Sequence, residues 1–502
     1  MNQGLNWYYS FESGLAKQAF MEASTRDESS PMPWWGISIA SGPTINSPQM
    51  SEGQSREAWE ALQQAKERIG NTTPVEKALI EALEARYAWP APEDRSDLDV
   101  AYADAMRLVH ETFPEDPDVA TLYAEALLVL RPWDQWAHTG DPNPGTLDAL
   151  AALERARDLA PGSPGAHHIT IHAVEGSRTP QIGIESAQVL EELAPDSAHL
   201  LHMPSHIYVR MGLWEKAAES NERANRAIER LSVSRPEMGN GAWVFHHLDF
   251  LILVDKMTGD RDGAIRHARA FTDQLPIERA MPLVHFVDPY MLKLPSVYKR
   301  FGMWEEIIAY PELPPEFVVS KANLHHMRAV AFSALGDTER ARSERDLLIS
   351  SLENVSEETK WGSSNKAIDV LRVAVPYVDG EIAYREGRLD VAIRKLKEAV
   401  ELEDQLTYDE PPAWMTPPRH ALGAVLLEAG RYSEAESVYQ ADLVEYPENG
   451  WALWGLTASL EGQDKDEEAD AARTRQERAW THATIPLTTS CQCVTPDRDS
   501  GE

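Results

Sequence analysis

Several things are scarce in this chain of 502 residues, and each scarcity removes a class of protein. There are two cysteines, Cys491 and Cys493, so no disulfide framework holds the fold, and a reducing compartment is compatible. Basic residues are short: 47 Lys and Arg stand against 81 Asp and Glu, for a net charge of −34. Phosphate backbones and anionic membrane surfaces need a positive face, so nucleic acid and membrane are not expected partners. No apolar run approaches the roughly 18 residues that a spanning helix needs. The first residues, Met1-Asn2-Gln3-Gly4-Leu5-Asn6-Trp7, carry neither a basic start nor an apolar stretch, and a cytoplasmic location is expected. Sustained strand alternation is missing, and the two Asn-Gly pairs, Asn240-Gly241 and Asn449-Gly450, do not sit between alternating segments. The Gly-rich phosphate loops, the nucleophile-elbow Ser and the His-Glu-x-x-His zinc motif are missing as well.

What is present is helical periodicity and a recurring turn. A glycine is followed five residues later by alanine at Gly212/Ala217, Gly259/Ala264, Gly336/Ala341, Gly387/Ala392 and Gly430/Ala435, with a variant at Gly302-Met303-Trp304. A glycine in the left-handed region ends one helix, and a small alanine lets the next helix approach it closely. Leu396 follows Ala392 by four and Tyr439 follows Ala435 by four, the spacing that packs a second helix onto the next hairpin. The N-terminal half holds weaker copies, such as Ala16-x-x-x-Phe20-x-x-Ala23 with Trp35-Gly36. Pro-rich stretches at Gly42–Pro48, Arg131–Trp136 and Pro311–Glu316 read as loops.

This pattern resembles the tetratricopeptide repeat, and Pro447 with Trp451-Ala452-Leu453-Trp454-Gly455 fits the same family. The resemblance implies an all-α, right-handed α-solenoid of helix hairpins with irregular, lengthened repeats. It is expected to run as one array over residues 1–480, most regular over 380–475, with an irregular tail over 481–502 that carries the Cys-x-Cys pair.

Histidine is concentrated. Of the 16 histidines, twelve lie between His167 and His326. They read His167-His168-x-x-x-His172-x-x-Glu175, then His199-x-x-His202-x-x-x-His206, then His246-His247, His285-x-x-Asp288 and His325-His326. On a helix, positions three, four and seven apart share a face, and a pair of imidazoles at i, i+4 reaches one metal ion. Counted back from the turn glycine, His199, His202 and His206 fall where the family resemblance places groove-lining residues. Pro204 between them predicts a kink. The segments His167–Glu175 and His202–Arg210 are similar to stretches of a bacterial group of tetratricopeptide-like proteins, a likeness that names no reaction.

The expectation is a transition-metal site within residues 165–330. Its candidate ligands are His167, His168, His172, Glu175, His199, His202, His206, His246, His247 and His285, with Cys491 and Cys493 as thiolate candidates. Many imidazoles with few carboxylates favour copper, with zinc or iron as alternatives. Glu175 is read as a ligand, as the group that orients an imidazole, or as a general base, and Tyr208 and Arg210 as further catalytic candidates. The reaction expected is metal-dependent oxidation, hydrolysis or elimination on a small molecule or peptide held in the groove. A peptide-binding adapter without catalysis and a metal storage or delivery protein are the alternatives. The sequence leaves the oligomeric state open.

Overall fold

The computed structural model describes residues 1–234, 243–362 and 364–494. Among them are 28 α-helices and one two-stranded hairpin, Lys360–Trp361 paired antiparallel with Asn365–Lys366. The Asn240-Gly241 pair lies outside the described residues. The all-α expectation holds, because most segments carry a one-sided apolar stripe that is buried against the next helix in sequence. No helix among the described residues is long and apolar enough to cross a membrane.

The turn glycines do what their spacing implies. Gly212, Gly259, Gly302, Gly336, Gly387 and Gly430 have φ between 68° and 83°, a region that side chains with a Cβ enter only under strain. At Gly387 the chain closes the turn with Gly387 N–H on Tyr384 O and Arg388 N–H on Ala383 O, the paired bonds that end a helix. The next helix, Leu389–Glu403, then folds back on Ala374–Arg385. Gly380 leaves room for Leu396, and Gly423 and Gly455 together seat the ring of Tyr439. In the N-terminal half, Phe20 lies in a slot formed by Gly4 and Gly36. In these helix hairpins a large side chain of one helix occupies a gap left by small residues on its neighbours.

The chain divides into two compact units: Met1–Ile207 with Glu222–Asn240, and Tyr208–Asn221 with Gly241–Glu502. In the first unit, helix Pro164–Val174 carries His167, His168 and His172. It begins at Ser163, whose hydroxyl accepts from Ala166 N–H, with Pro164 in the first turn. Gly165, in that first turn, lets the ring of Tyr9 lie directly on the helix. The expected kink is present. Pro204 splits its segment into Ala198–His202 and Pro204–Arg210, with Met203 between them.

In the second unit the segment after Trp480 is not a loose tail. Thr484 N–H donates to Gly259 O, Ser490 Oγ donates to His420 O, and Arg385 donates to Cys493 O. Thr489, Ser490, Cys491, Cys493 and Val494 are all buried. Among the described residues after Trp480 there is no helix, and backbone groups and small polar side chains bind the segment to successive helices.

Candidate metal centre

The first unit gathers His168, His172, Glu175, His199, His202 and His206, all buried. One ring nitrogen from each of His168, His172 and His199 lies within 4.8 Å of the other two. His168 Nδ1 is 2.6 Å from the carbonyl oxygen of Tyr9, and His172 Nδ1 is 2.9 Å from Glu175 Oε1. The second Glu175 oxygen is 2.8 Å from His206 Nδ1. His206 Nε2 stands 2.8 Å from His202 Nε2, and His202 Nδ1 is 3.4 Å from the Ser205 hydroxyl.

These partners fix the tautomers. A carbonyl oxygen and a carboxylate only accept, so His168 and His172 each carry a proton on Nδ1 and donate it. Where both rings are neutral, both Nε2 atoms are bare lone pairs, and they face one another at 3.1 Å. Two acceptors at that distance repel unless a cation lies between or beside them. Burial, reinforced by neighbouring His172, pushes His168 well below the usual imidazole range, so a second proton on His168 itself is disfavoured. The His202–His206 contact differs. The Ser205 hydroxyl can donate to His202 Nδ1, which leaves a proton on His202 Nε2 and makes that contact an ordinary hydrogen bond.

Glu175 joins the two pairs. Burial alone raises its carboxyl, but His206 and His172 outweigh it and hold the group at about 2. One oxygen bonds His172 and the other approaches His206, a geometry suited to an orienting group. Phe11 lies over the cluster, with its ring 4.5 Å from that of His168, 5.7 Å from His172 and 5.5 Å from His199. Its backbone has φ of 55°, a strained conformation for a residue with a side chain. Sequence reasoning named neither Tyr9 nor Phe11. Their role depends on a docked N-terminal turn, and the one visible signal was the aromatic run Trp7-Tyr8-Tyr9 before Phe11.

His167 is on the same helix as His168, but its Nδ1 meets Ser186 Oγ at 3.0 Å and its Nε2 meets Pro161 O at 2.8 Å, so both nitrogens are engaged away from the cluster. His246, His247, His285, Tyr208 and Arg210 belong to the second unit. His246 is half-buried with its ring edge-on to Phe250, His247 is buried, and His285 is exposed beside Phe286. Tyr208 is buried beneath Lys216 Nζ, and Arg210 pairs with Glu445 at 3.0 Å. Asp288 accepts from Val319 N–H and Ser320 N–H at the start of helix Val318–Ala334, which is a capping role. Cys491 and Cys493 are joined to each other as a disulfide in the second unit, packed on the hydroxyl of Tyr377. In that oxidised state neither sulfur is a thiolate.

No protein-family model matches the chain, and no curated protein does. Similar solved structures include a human IFIT1 dimer with m7Gppp-AAAA, at 12% identity and TM-score 0.34, covering 86% of this chain and 87% of that one. Yeast Tom70 is 12% identical with TM-score 0.30, covering 95% of this chain and 88% of its own. The Cut9-Hcn1 hetero-tetramer of APC/C gives 10% and 0.25, over 96% and 93%. At such scores these likenesses carry no argument about what this chain binds.

Proposed function

We propose that the first unit is a helical-hairpin metalloprotein in which His168, His172 and His199 hold a transition metal ion, with His202 and His206 as the adjoining imidazole pair. The observation that carries this reading is the convergence of ring nitrogens from His168, His172 and His199 within 4.8 Å, with His168 and His172 each held from behind by an acceptor. An imidazole whose far nitrogen donates to a carbonyl or carboxylate is the arrangement that orients and strengthens a metal ligand. An all-imidazole donor set favours copper, with zinc or iron as the alternatives.

A bound ion of this kind supplies Lewis acidity or a redox centre to a small molecule or peptide. The protein's own part is to position and to exclude water. Glu175 holds two imidazoles in one orientation, Tyr9 O holds a third, and Phe11 covers them. The peptide-adapter reading fits less well, because the imidazoles that would line its groove are buried.

The test is metal content. Protein purified without chelator, and again after reconstitution with copper, zinc and iron(II) in turn, is analysed for bound metal. Stoichiometric metal that is lost together in His168→Ala and His172→Ala supports the reading. Absence of any stoichiometric metal after reconstitution rejects it.

A further inference from the structure

The second unit holds a separate feature that the metal centre does not use. A cavity of about 50 Å3 is lined by Lys293, Lys299, His326, Asn323, Trp361 and Trp414, among others. At roughly 10–15 Å3 of such volume per water, it has room for about four small non-hydrogen atoms.

The charge inside it is not balanced. Lys293 Nζ is paired with Asp249 at 2.6 Å. Lys299 Nζ has no carboxylate or hydrogen-bond acceptor among the described residues. It lies instead over the rings of Tyr377, 4.3 Å away, and Trp414, 5.2 Å away. Lys299 is 8% exposed, so its ammonium faces the cavity rather than open solvent. The Trp414 indole N–H and His326 Nδ1 are buried and likewise lack a partner among the described residues. The neighbouring bases add to the imbalance. Lys256 donates to Ser296 Oγ, and Arg300 is directed at His420 and stacked on Trp451. Glu381 influences Lys299 electrostatically but forms no ion pair with it among the described residues. Buried acceptors without a bond are present in the same surroundings, both oxygens of Glu381 among them, but none is bonded to Lys299 Nζ or to the Trp414 indole N–H.

We infer that this cavity binds a small carboxylate, its oxygens on Lys299 Nζ and the Trp414 indole N–H and its short carbon body between Trp361 and Trp414. The size admits acetate or propionate. The aromatic walls favour an organic anion over an inorganic one. Such a ligand supplies the two things the site lacks, a counter-charge and an acceptor.

The experiment uses the full chain, treated with chelator so that a metal cannot answer for the anion. Sodium acetate and sodium propionate are titrated by calorimetry and by thermal melting, against sodium chloride at equal ionic strength and against sodium phosphate. The expected result is saturable binding of the carboxylates with a rise in melting temperature beyond that in chloride. Lys299→Met should weaken binding by about tenfold or more, the scale of a lost charge-assisted hydrogen bond. Trp414→Phe keeps the ring and loses the N–H, and should weaken it by a smaller factor. If Lys299→Met does not fold, Trp414→Phe decides. No carboxylate-specific effect, tighter binding of phosphate, or binding unchanged in the variant that decides overturns the inference.

Discussion

Glu175, at the end of helix Pro164–Val174, meets His206 of the helix that Pro204 opens, with Oε2 2.8 Å from Nδ1, while its other carboxylate oxygen takes His172 of its own helix. One buried side chain therefore sets the orientation of imidazoles from two helices. Replacing it with Gln keeps the shape but leaves one acceptor for two Nδ1–H groups. Glu175→Gln should weaken metal binding by about 10- to 100-fold, the usual cost of losing such a support. Metal titration of the folded variant measures it, and unchanged affinity would refute the orienting role.

The two adjacent histidines of one helix should behave oppositely. His168→Ala removes a ligand and should lower metal content with a moderate effect on stability. His167→Ala leaves Ser186 Oγ and Pro161 O short of a partner and should cost about 1–3 kcal/mol while metal content stays intact. Denaturant unfolding beside metal analysis separates them. Equal loss of metal in both variants would contradict the geometry.

Lys299 predicts a pH dependence. Burial pushes its ammonium down to about 7, with Glu381 opposing the shift and Arg300 adding to it. Its ordinary value in the unfolded chain is about 10.4. Between these values the unfolded chain binds the extra proton, so stability from this group rises with pH from about 7 to about 10 and is lost on the way back down. Burial raises the Glu381 carboxyl to about 7, which confines its own effect to lower pH. Wild type should gain stability between pH 7.5 and 9.5 relative to Lys299→Met, by on the order of a few kcal/mol. Parallel pH profiles for the two proteins would contradict this.

The turn glycines should differ by surroundings. At Gly387 an added Cβ meets open space, so Gly387→Ala should cost only the left-handed strain, about 1–2 kcal/mol. At Gly212 the same atom would run into the backbone of Pro447, so Gly212→Ala should cost more. Urea midpoints of the two variants give the comparison.

The helix turns were legible because a left-handed turn demands glycine and a close crossing demands alanine, and both demands fall within six residues of chain. His168, His172 and Glu175 were legible for the same reason, since their meeting is set by the helix period. The partners that turn those rings into a locked pair were not. Tyr9 O is a backbone atom 159 residues away from His168, and no side-chain pattern marks it. The Lys299 cavity was invisible because its meaning lies in what is missing around an ammonium, which a sequence does not list. The packing of Cys491 and Cys493 was not legible either, because nothing local announces that the segment after Trp480 is bound to distant helices.

The 159-residue span between Tyr9 and His168 also bears on when the centre forms during synthesis. The turn that carries Tyr9 and Phe11 leaves the ribosome first and must wait for the helix that bears His168, and then for His199, before the rings are assembled. Until the N-terminal turn docks, His168 has no acceptor behind it and no aromatic cover. A nascent or truncated chain should therefore capture metal poorly, and tight capture becomes a mark that the whole first unit is in place.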